Sequence, residues 1–232
     1  MLIQQLIKTA GAAAACAVLA ATATLVTSTR GYAGEHGDDQ ESQASKVERG
    51  LEIAPVPLNM EGKNRELVGL GSYIVNAQGD CDGCHSSGPA HEFVFGGMPY
   101  FGQKPTLVNP ATYLGGGRDF GPFPGPGFAT IVSRNLTPDK TGRPEGGRTF
   151  QEFRKIMRTG VDLDQLHPTC AAAATDTSNC VPAPFDGTLL QIMPWPIYQN
   201  MSDHDLRAIY EYLSAIPCIA GPPTGVLHND CP

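Results

Sequence analysis

The chain has 232 residues, with 23 acidic against 16 basic side chains and a formal net charge of −7. That length holds one domain of ordinary size plus flanking segments. The acidic balance excludes the basic footprint that nucleic-acid binding requires, and fits an exported protein kept soluble by its charge.

Residues 1–33 carry an export-signal pattern: Lys8, an uncharged apolar stretch from Ala10 to Val26, then Gly31-Tyr32-Ala33 at a cleavage position. The stretch is short and Ala-rich for a permanent membrane span, so cleavage near Ala33 and a periplasmic location are favoured over an uncleaved anchor. Cleavage removes Lys8, Arg30 and no acid, leaving 14 basic and 23 acidic side chains, a charge of −9. Residues 34–62, with Glu35, Asp38, Asp39, Glu41, Pro55 and Pro57 and no visible apolar period, read as an acidic flexible linker.

Ordered structure is expected from Lys63. Leu67, Leu70, Gly71, Ile74 and Val75 follow the spacing of a helix with one buried stripe. Gly71 within that stripe suits a close helix crossing. The helix is expected to run straight into Cys81-Asp82-Gly83-Cys84-His85. From Gly96 to Gly147 the glycine and proline runs exclude helix and central strand, apart from a short strand near Ala129 to Val132. A second helix starts at Thr149, with Glu152 completing a capping box and Phe150, Phe153, Ile156 and Met157 as its apolar face. Gly160 stops it, and residues 161–192 are irregular. The last helix is capped by Ser202 and striped by Leu206, Ile209, Tyr210 and Leu213, and it ends at Pro217. Residues 218–232 form a tail.

The C-x-x-C-H run is the signature of covalent c-type haem attachment: two thiols reach the vinyl groups of one haem while the adjacent imidazole meets the iron. With 7 Cys and 6 His in the chain, such a run arises by chance roughly once in two hundred sequences of this composition. A thiol redox pair would need a βαβ setting, and a zinc site a second ligand pair; the sequence offers neither. No second C-x-x-C-H exists, so one covalent haem c is expected. Cys16 leaves with the signal, and Cys170, Cys180, Cys218 and Cys231 allow three pairings. The local one, Cys170–Cys180 with Cys218–Cys231, closes the shortest loops.

His85 is the expected proximal ligand. For the other axial position Met193 leads, because Pro194 and Pro196 stiffen the apolar segment around it; Met201 and then Met98 follow. Met157 sits on a helix stripe and reads as core. His36, His91, His167, His204 and His228 read as surface or hydrogen-bonding residues.

These elements resemble class I cytochrome c, a mainly α fold in which the first and last helices cross above the haem and long irregular loops wrap it. Gly71 and Tyr73 would then meet the stripe of Tyr210 and Leu213. Asn135-Leu136-Thr137-Pro138-Asp139, Thr141-Gly142, the Thr149 helix and Met193-Pro194-Trp195-Pro196-Ile197-Tyr198 are similar to one group. This is the cytochrome c domains in the haem subunits of bacterial alcohol and gluconate dehydrogenases. The resemblance covers residues 63–217. It implies Met193 as axial ligand, and Arg134, Asn135 and Thr137 near the haem propionates. Those subunits usually carry three haem domains, and this chain carries one.

The leading expectation is a single-haem electron carrier rather than an enzyme, exchanging electrons with redox partners such as a dehydrogenase and a terminal oxidase. Its alternatives are a haem enzyme or gas sensor with an open distal site, and a haem subunit of a dehydrogenase complex.

Overall fold

The computed structural model describes residues 35–222, 225 and 227–232. The signal assignment over 1–33, Cys16 included, lies outside the described residues. Helices and one small two-stranded sheet are joined by long irregular segments.

Helix α1 (Glu35–Ile53) occupies most of the segment expected to be a flexible linker. Its acidic face hid an apolar one: Val47 and Gly50 are buried, and Leu51 and Ala54 continue the three-four spacing against the core. Helix α2 (Arg65–Tyr73) is capped by Asn64, whose side chain accepts the Glu66 and Leu67 N–H groups at 2.9 and 3.1 Å.

Helix α2 lies between α1 and the last helix, α8 (Asp203–Leu213), at backbone contact on both sides. A Cβ on Gly50 would come within 1.9 Å of the Gly69 carbonyl oxygen, and a Cβ on Gly71 within 1.9 Å of the Ala208 carbonyl oxygen. Ser72 Oγ donates to the Gly50 carbonyl at 2.6 Å, reinforcing the first crossing. The expected meeting of Gly71 with the last helix is present. Tyr73 differs: its ring faces Lys46 of α1, at 6.0 Å, because Gly71 and Tyr73 stand two residues apart on a helix and diverge.

Beyond Tyr73 the helix does not run straight into the cysteine motif. A π-helical turn, Ile74–Gln78, widens it, and Asp80 in the left-handed region (φ 45°) reverses the chain into a short helix, α3 (Cys81–His85). Asn76 in the widened turn accepts from the Tyr113 hydroxyl and donates to the Tyr212 hydroxyl at 3.1 Å. The two tyrosines, buried and 2.8 Å apart, tie α2, α8 and the glycine-rich loop together.

One turn of helix, α4 (Pro89–Glu92), precedes that loop, and the loop itself carries the antiparallel pair β1 (Asp119–Pro122) and β2 (Thr130–Val132). A distorted turn, α5 (Pro144–Gly147), leads to α6 (Phe150–Thr159). The capping box expected at Thr149 and Glu152 is fully formed, and Gly160 ends the helix at φ 68°. Its face of Phe153, Ile156 and Met157 is buried. A single turn, α7 (Trp195–Tyr198), precedes α8. The disulfides are Cys170–Cys180 and Cys218–Cys231, the local pairing. No helix among the described residues is long and apolar enough to cross a membrane.

Gly50→Ala distinguishes a docked α1 from a free one by sign. In an unpacked helix the change stabilises by about 1 kcal/mol, whereas against the Gly69 carbonyl it costs about 1–3 kcal/mol. The urea midpoint is expected to fall.

Candidate haem site

The interior face of α3 opens into a cavity of ≈1390 Å³, including the open solvent at its mouth. Ile74 and Val75 of the widened turn, Ile131 and Val132 of β2, and Phe153 and Ile156 of α6 supply apolar walls, with Ile209 and Leu213 of α8 above. Cys81, Cys84, His85, Arg134 and Met193 all line it. Residues separated by more than a hundred positions therefore meet around one space.

The α3 turn is fixed from outside the cavity. Asp82 Oδ1 accepts the Leu114 N–H at 2.8 Å, and the Gly116 N–H donates to the His85 carbonyl at 2.7 Å. Burial pushes the Asp82 carboxyl up to about 7. Gly116 sits at φ 73°, and a Cβ there would fall 2.4 Å from the Arg134 carbonyl carbon. Only glycine lets the two strands of chain approach this closely. The approach brings the Arg134 carbonyl 2.8 Å from His85 Nδ1, so Nδ1 is the donor and Nε2 is left as a free lone pair. Desolvation lowers the His85 pKa, which favours the neutral imidazole that a metal ligand must be.

Cys81 and Cys84 are free thiols, unlike the four cysteines in disulfides. Desolvation, with Asp80, Cys84 and Asp82 nearby, pushes the Cys81 thiol up to about 12. A thiol–disulfide catalyst needs the opposite shift. No group of three or more His, Cys, Asp or Glu able to hold a metal ion occurs among the described residues. An unpaired thiol pair, a preset neutral imidazole and an apolar cleft fit covalent haem and fit neither competitor.

On the far side, Met193 follows Ile192, whose φ of 69° is rare for a β-branched residue. Its segment is held at three points. The Leu190 N–H donates to the Gly160 carbonyl at 2.7 Å, Trp195 Nε1 to the Leu190 carbonyl at 3.2 Å, and the Tyr198 hydroxyl to the Gly79 carbonyl at 3.2 Å. The Trp195 indole lies over Gly160, where a Cβ would come within 2.2–2.4 Å of the ring. Met157 and Met201 also line the cavity, so three thioethers share it. Met98 does not.

The expected propionate residues divide. Arg134 lines the cavity, and its guanidinium pairs with Asp162 at 2.5 Å and with Asp164, which also takes Arg148. Asn135 and Thr137 do not line the cavity. Asn135 Nδ2 donates to the Ile219 and Leu227 carbonyls at 2.8 and 3.3 Å, and its Oδ1 accepts from Thr137 N–H and Oγ1. Thr137 Oγ1 accepts from Ile219 N–H at 3.0 Å. Both side chains anchor the C-terminal segment, because that segment covers this side of the loop and consumes their hydrogen bonds. Glu145, which no local pattern marks, and His167, read from the sequence as a surface or hydrogen-bonding residue, also line the cavity, brought there by the folding of separate loops.

No family model matches the chain, and no solved structure matches it. It is 33% identical over 149 residues to the cytochrome c subunit of gluconate 2-dehydrogenase from Pantoea cypripedii, covering 64% of this chain and 23% of that protein. It is 25% identical over 152 residues to the fructose dehydrogenase cytochrome subunit of Gluconobacter japonicus (65% and 21%). To the cytochrome c subunit of the quinone alcohol dehydrogenase of Komagataeibacter europaeus it is 27% identical over 146 residues (63% and 21%). The chain thus spans less than a quarter of the length of each. Over that shared segment the chain is a homologue of the cytochrome c subunits of gluconate, fructose and alcohol dehydrogenases.

Proposed function

We propose that this protein is an exported single-haem electron carrier, in which Cys81 and Cys84 hold haem c covalently and His85 and Met193 ligate its iron. The observation that carries the reading is one apolar cavity lined by both free thiols, the pre-oriented imidazole and the Met193 segment. When bound, haem supplies a one-electron iron couple. The chain's own residues do the rest. The Arg134 carbonyl keeps the His85 ring in one tautomer and orientation. The Tyr198–Gly79 hydrogen bond joins the two ligand-bearing segments, so neither drifts when the iron changes charge. Walls of Ile, Val, Leu and Phe exclude water and favour the less charged reduced state.

The haem-binding unit of this reading is residues 63–217, with α1 packed beside it and 218–232 tied on by Cys218–Cys231. The relatives are named as dehydrogenase cytochrome subunits, which supports a dehydrogenase as electron donor; the periplasm as the compartment and a terminal oxidase downstream complete the reading. Three cavity-lining methionines favour a closed distal site over an open one for a gas or peroxide.

The exported protein matured with haem is expected to show the weak long-wavelength sulfur-to-iron band when oxidised. Met193→Ala abolishes it, while Met157→Ala and Met201→Ala retain it. A high-spin wild-type spectrum lacking the band overturns the ligand assignment. Cys81→Ala and Cys84→Ala each leave a single thioether and move the pyridine-haemochrome α-band to longer wavelength. Gly160→Ala displaces Trp195, costs about 1–3 kcal/mol in denaturant unfolding and weakens the same sulfur band.

A further inference from the structure

We infer that Glu145 takes up a proton when the bound haem is reduced and releases it on oxidation, so that electron transfer by this chain is coupled to a proton. The inference rests on the reading above and adds a second charge carrier to it. Glu145 lines the cavity from the distorted turn α5, and its carboxylate makes neither an ion pair nor a hydrogen bond among the described residues. Nor is it sealed within protein: the buried side-chain atoms without a partner belong to Asp82, Ser86, His167 and Asn229. A half-buried carboxylate that is open yet unpaired can accept a proton without breaking any contact.

The charges around it leave Glu145 over. Arg134 pairs with Asp162 and Asp164, and Arg148 with Asp164, so two guanidinium groups and two aspartates balance one another. Glu152, on the first turn of α6, accepts the Thr149 N–H and hydroxyl, both at 2.8 Å. His167 lines the same cavity, where desolvation favours its neutral form. Glu145 is thus the surplus negative charge of this wall. Loss of water around it raises its pKa above the ordinary carboxylate value, and Arg134 and Arg148 offset only part of that rise.

The side chain is presented by a backbone that other residues hold in place. Glu145 has φ 51° and Gly146 φ 66°, two successive residues in the left-handed region, which suits glycine and not glutamate. The Glu145 N–H donates to the Leu136 carbonyl at 3.3 Å, and the Arg148 N–H to the Pro144 carbonyl at 3.0 Å. Such a conformation persists where its surroundings over-determine it, and such places cluster at functional sites. In an apolar cavity, the electron added on reduction raises the proton affinity of an unpaired carboxylate. The balance is one electron from the donor protein to the haem and one proton from solvent to a Glu145 oxygen. On oxidation the electron leaves to the acceptor and the proton to solvent.

The test follows the midpoint potential of the full-length, haem-loaded protein from about pH 4, near the ordinary carboxylate value, to about pH 9. The wild-type potential is expected to fall as pH rises between the Glu145 pKa of the oxidised form and that of the reduced form. The limit is about tenfold in the one-electron equilibrium, or about 59 mV, per pH unit. Glu145→Gln is expected to flatten the profile at the acid-limb value, so at alkaline pH its equilibrium lies roughly tenfold further toward the reduced form than wild type. A flat wild-type profile overturns the inference. So does a slope that survives in Glu145→Gln, which puts the proton on Asp82, His167 or the haem carboxylates. A Gln shift equal at every pH also overturns it, being a packing effect. A second measurement needs no substitution. With the Glu carboxyl carbon isotopically labelled, the reduced-minus-oxidised infrared difference spectrum is expected to gain a protonated-carboxyl C=O band that the label moves to lower frequency. Absence of the band, or a band the label leaves in place, overturns the inference equally. A wild type that attaches no haem, read from the pyridine-haemochrome spectrum, removes the proposed function, whereas a loaded one with a flat profile removes only this inference.

Discussion

The hydrogen bond between His85 Nδ1 and the Arg134 carbonyl joins the two halves of the chain that enclose the cavity, and most of the site hangs on it. From Arg134 the backbone reaches inward to the cysteine turn, and the side chain reaches outward to Asp162 and Asp164. Severing a buried ion pair on one side leaves an uncompensated charge, at a cost of about 3–5 kcal/mol. The pair is thus weak evidence for stability but a strong constraint on register. If Arg134 moves, both the imidazole and the loop carrying His167 move with it. Gly116 is the steric condition for the arrangement, since any side chain there would occupy the space of Arg134's backbone.

A second constraint acts one layer above. Helix α2 touches α1 and α8 backbone to backbone, through Gly50 and Gly69 on one side and Gly71 and Ala208 on the other. Such contacts allow almost no sliding, because the backbone atoms are already at packing distance. The Tyr113–Tyr212–Asn76 cluster fixes rotation about the same axis. The π-helical turn follows at once, so the rigid crossing is converted within a few residues into the altered direction that α3 needs.

The legible parts of this molecule in its sequence were those governed by local rules. The capping box at Thr149 and the stripe and cap of α8 depend on residues within a turn or two of one another, and the disulfides join cysteines 10 and 13 residues apart; the crossing at Gly71 was marked by a glycine inside an apolar stripe, and its partner helix by the resemblance. Helix α1 was missed because charge masked a sparse stripe of Val47, Gly50, Leu51 and Ala54. The hydrogen bonds that tie Asn135 and Thr137 to the C-terminal segment were not legible, because partners such as Ile219 and Asn229 lie more than eighty residues away. Asp162 carried no signal either, because it meets Arg134, 28 residues away in sequence, only when the loops fold.

Strain at Ile192 bears on how the distal side is held. A β-branched residue at φ 69° costs on the order of 1–3 kcal/mol, and Ile192 is 42% exposed, so burial does not compensate for it. The conformation persists because its neighbours leave it no alternative. Leu190 is bonded to Gly160, Trp195 is bonded back to Leu190 and stacked on Gly160, and Tyr198 is bonded across to Gly79. Between those anchors the chain must place Met193 with Pro194 next to it, and Pro194 restricts the backbone further. A segment clamped at this cost beside an apolar cavity is preorganised: the thioether's position is decided by the fold before any ligand arrives. That is what a low-reorganisation electron carrier requires, and it ties the price of one strained residue to the site's proposed chemistry.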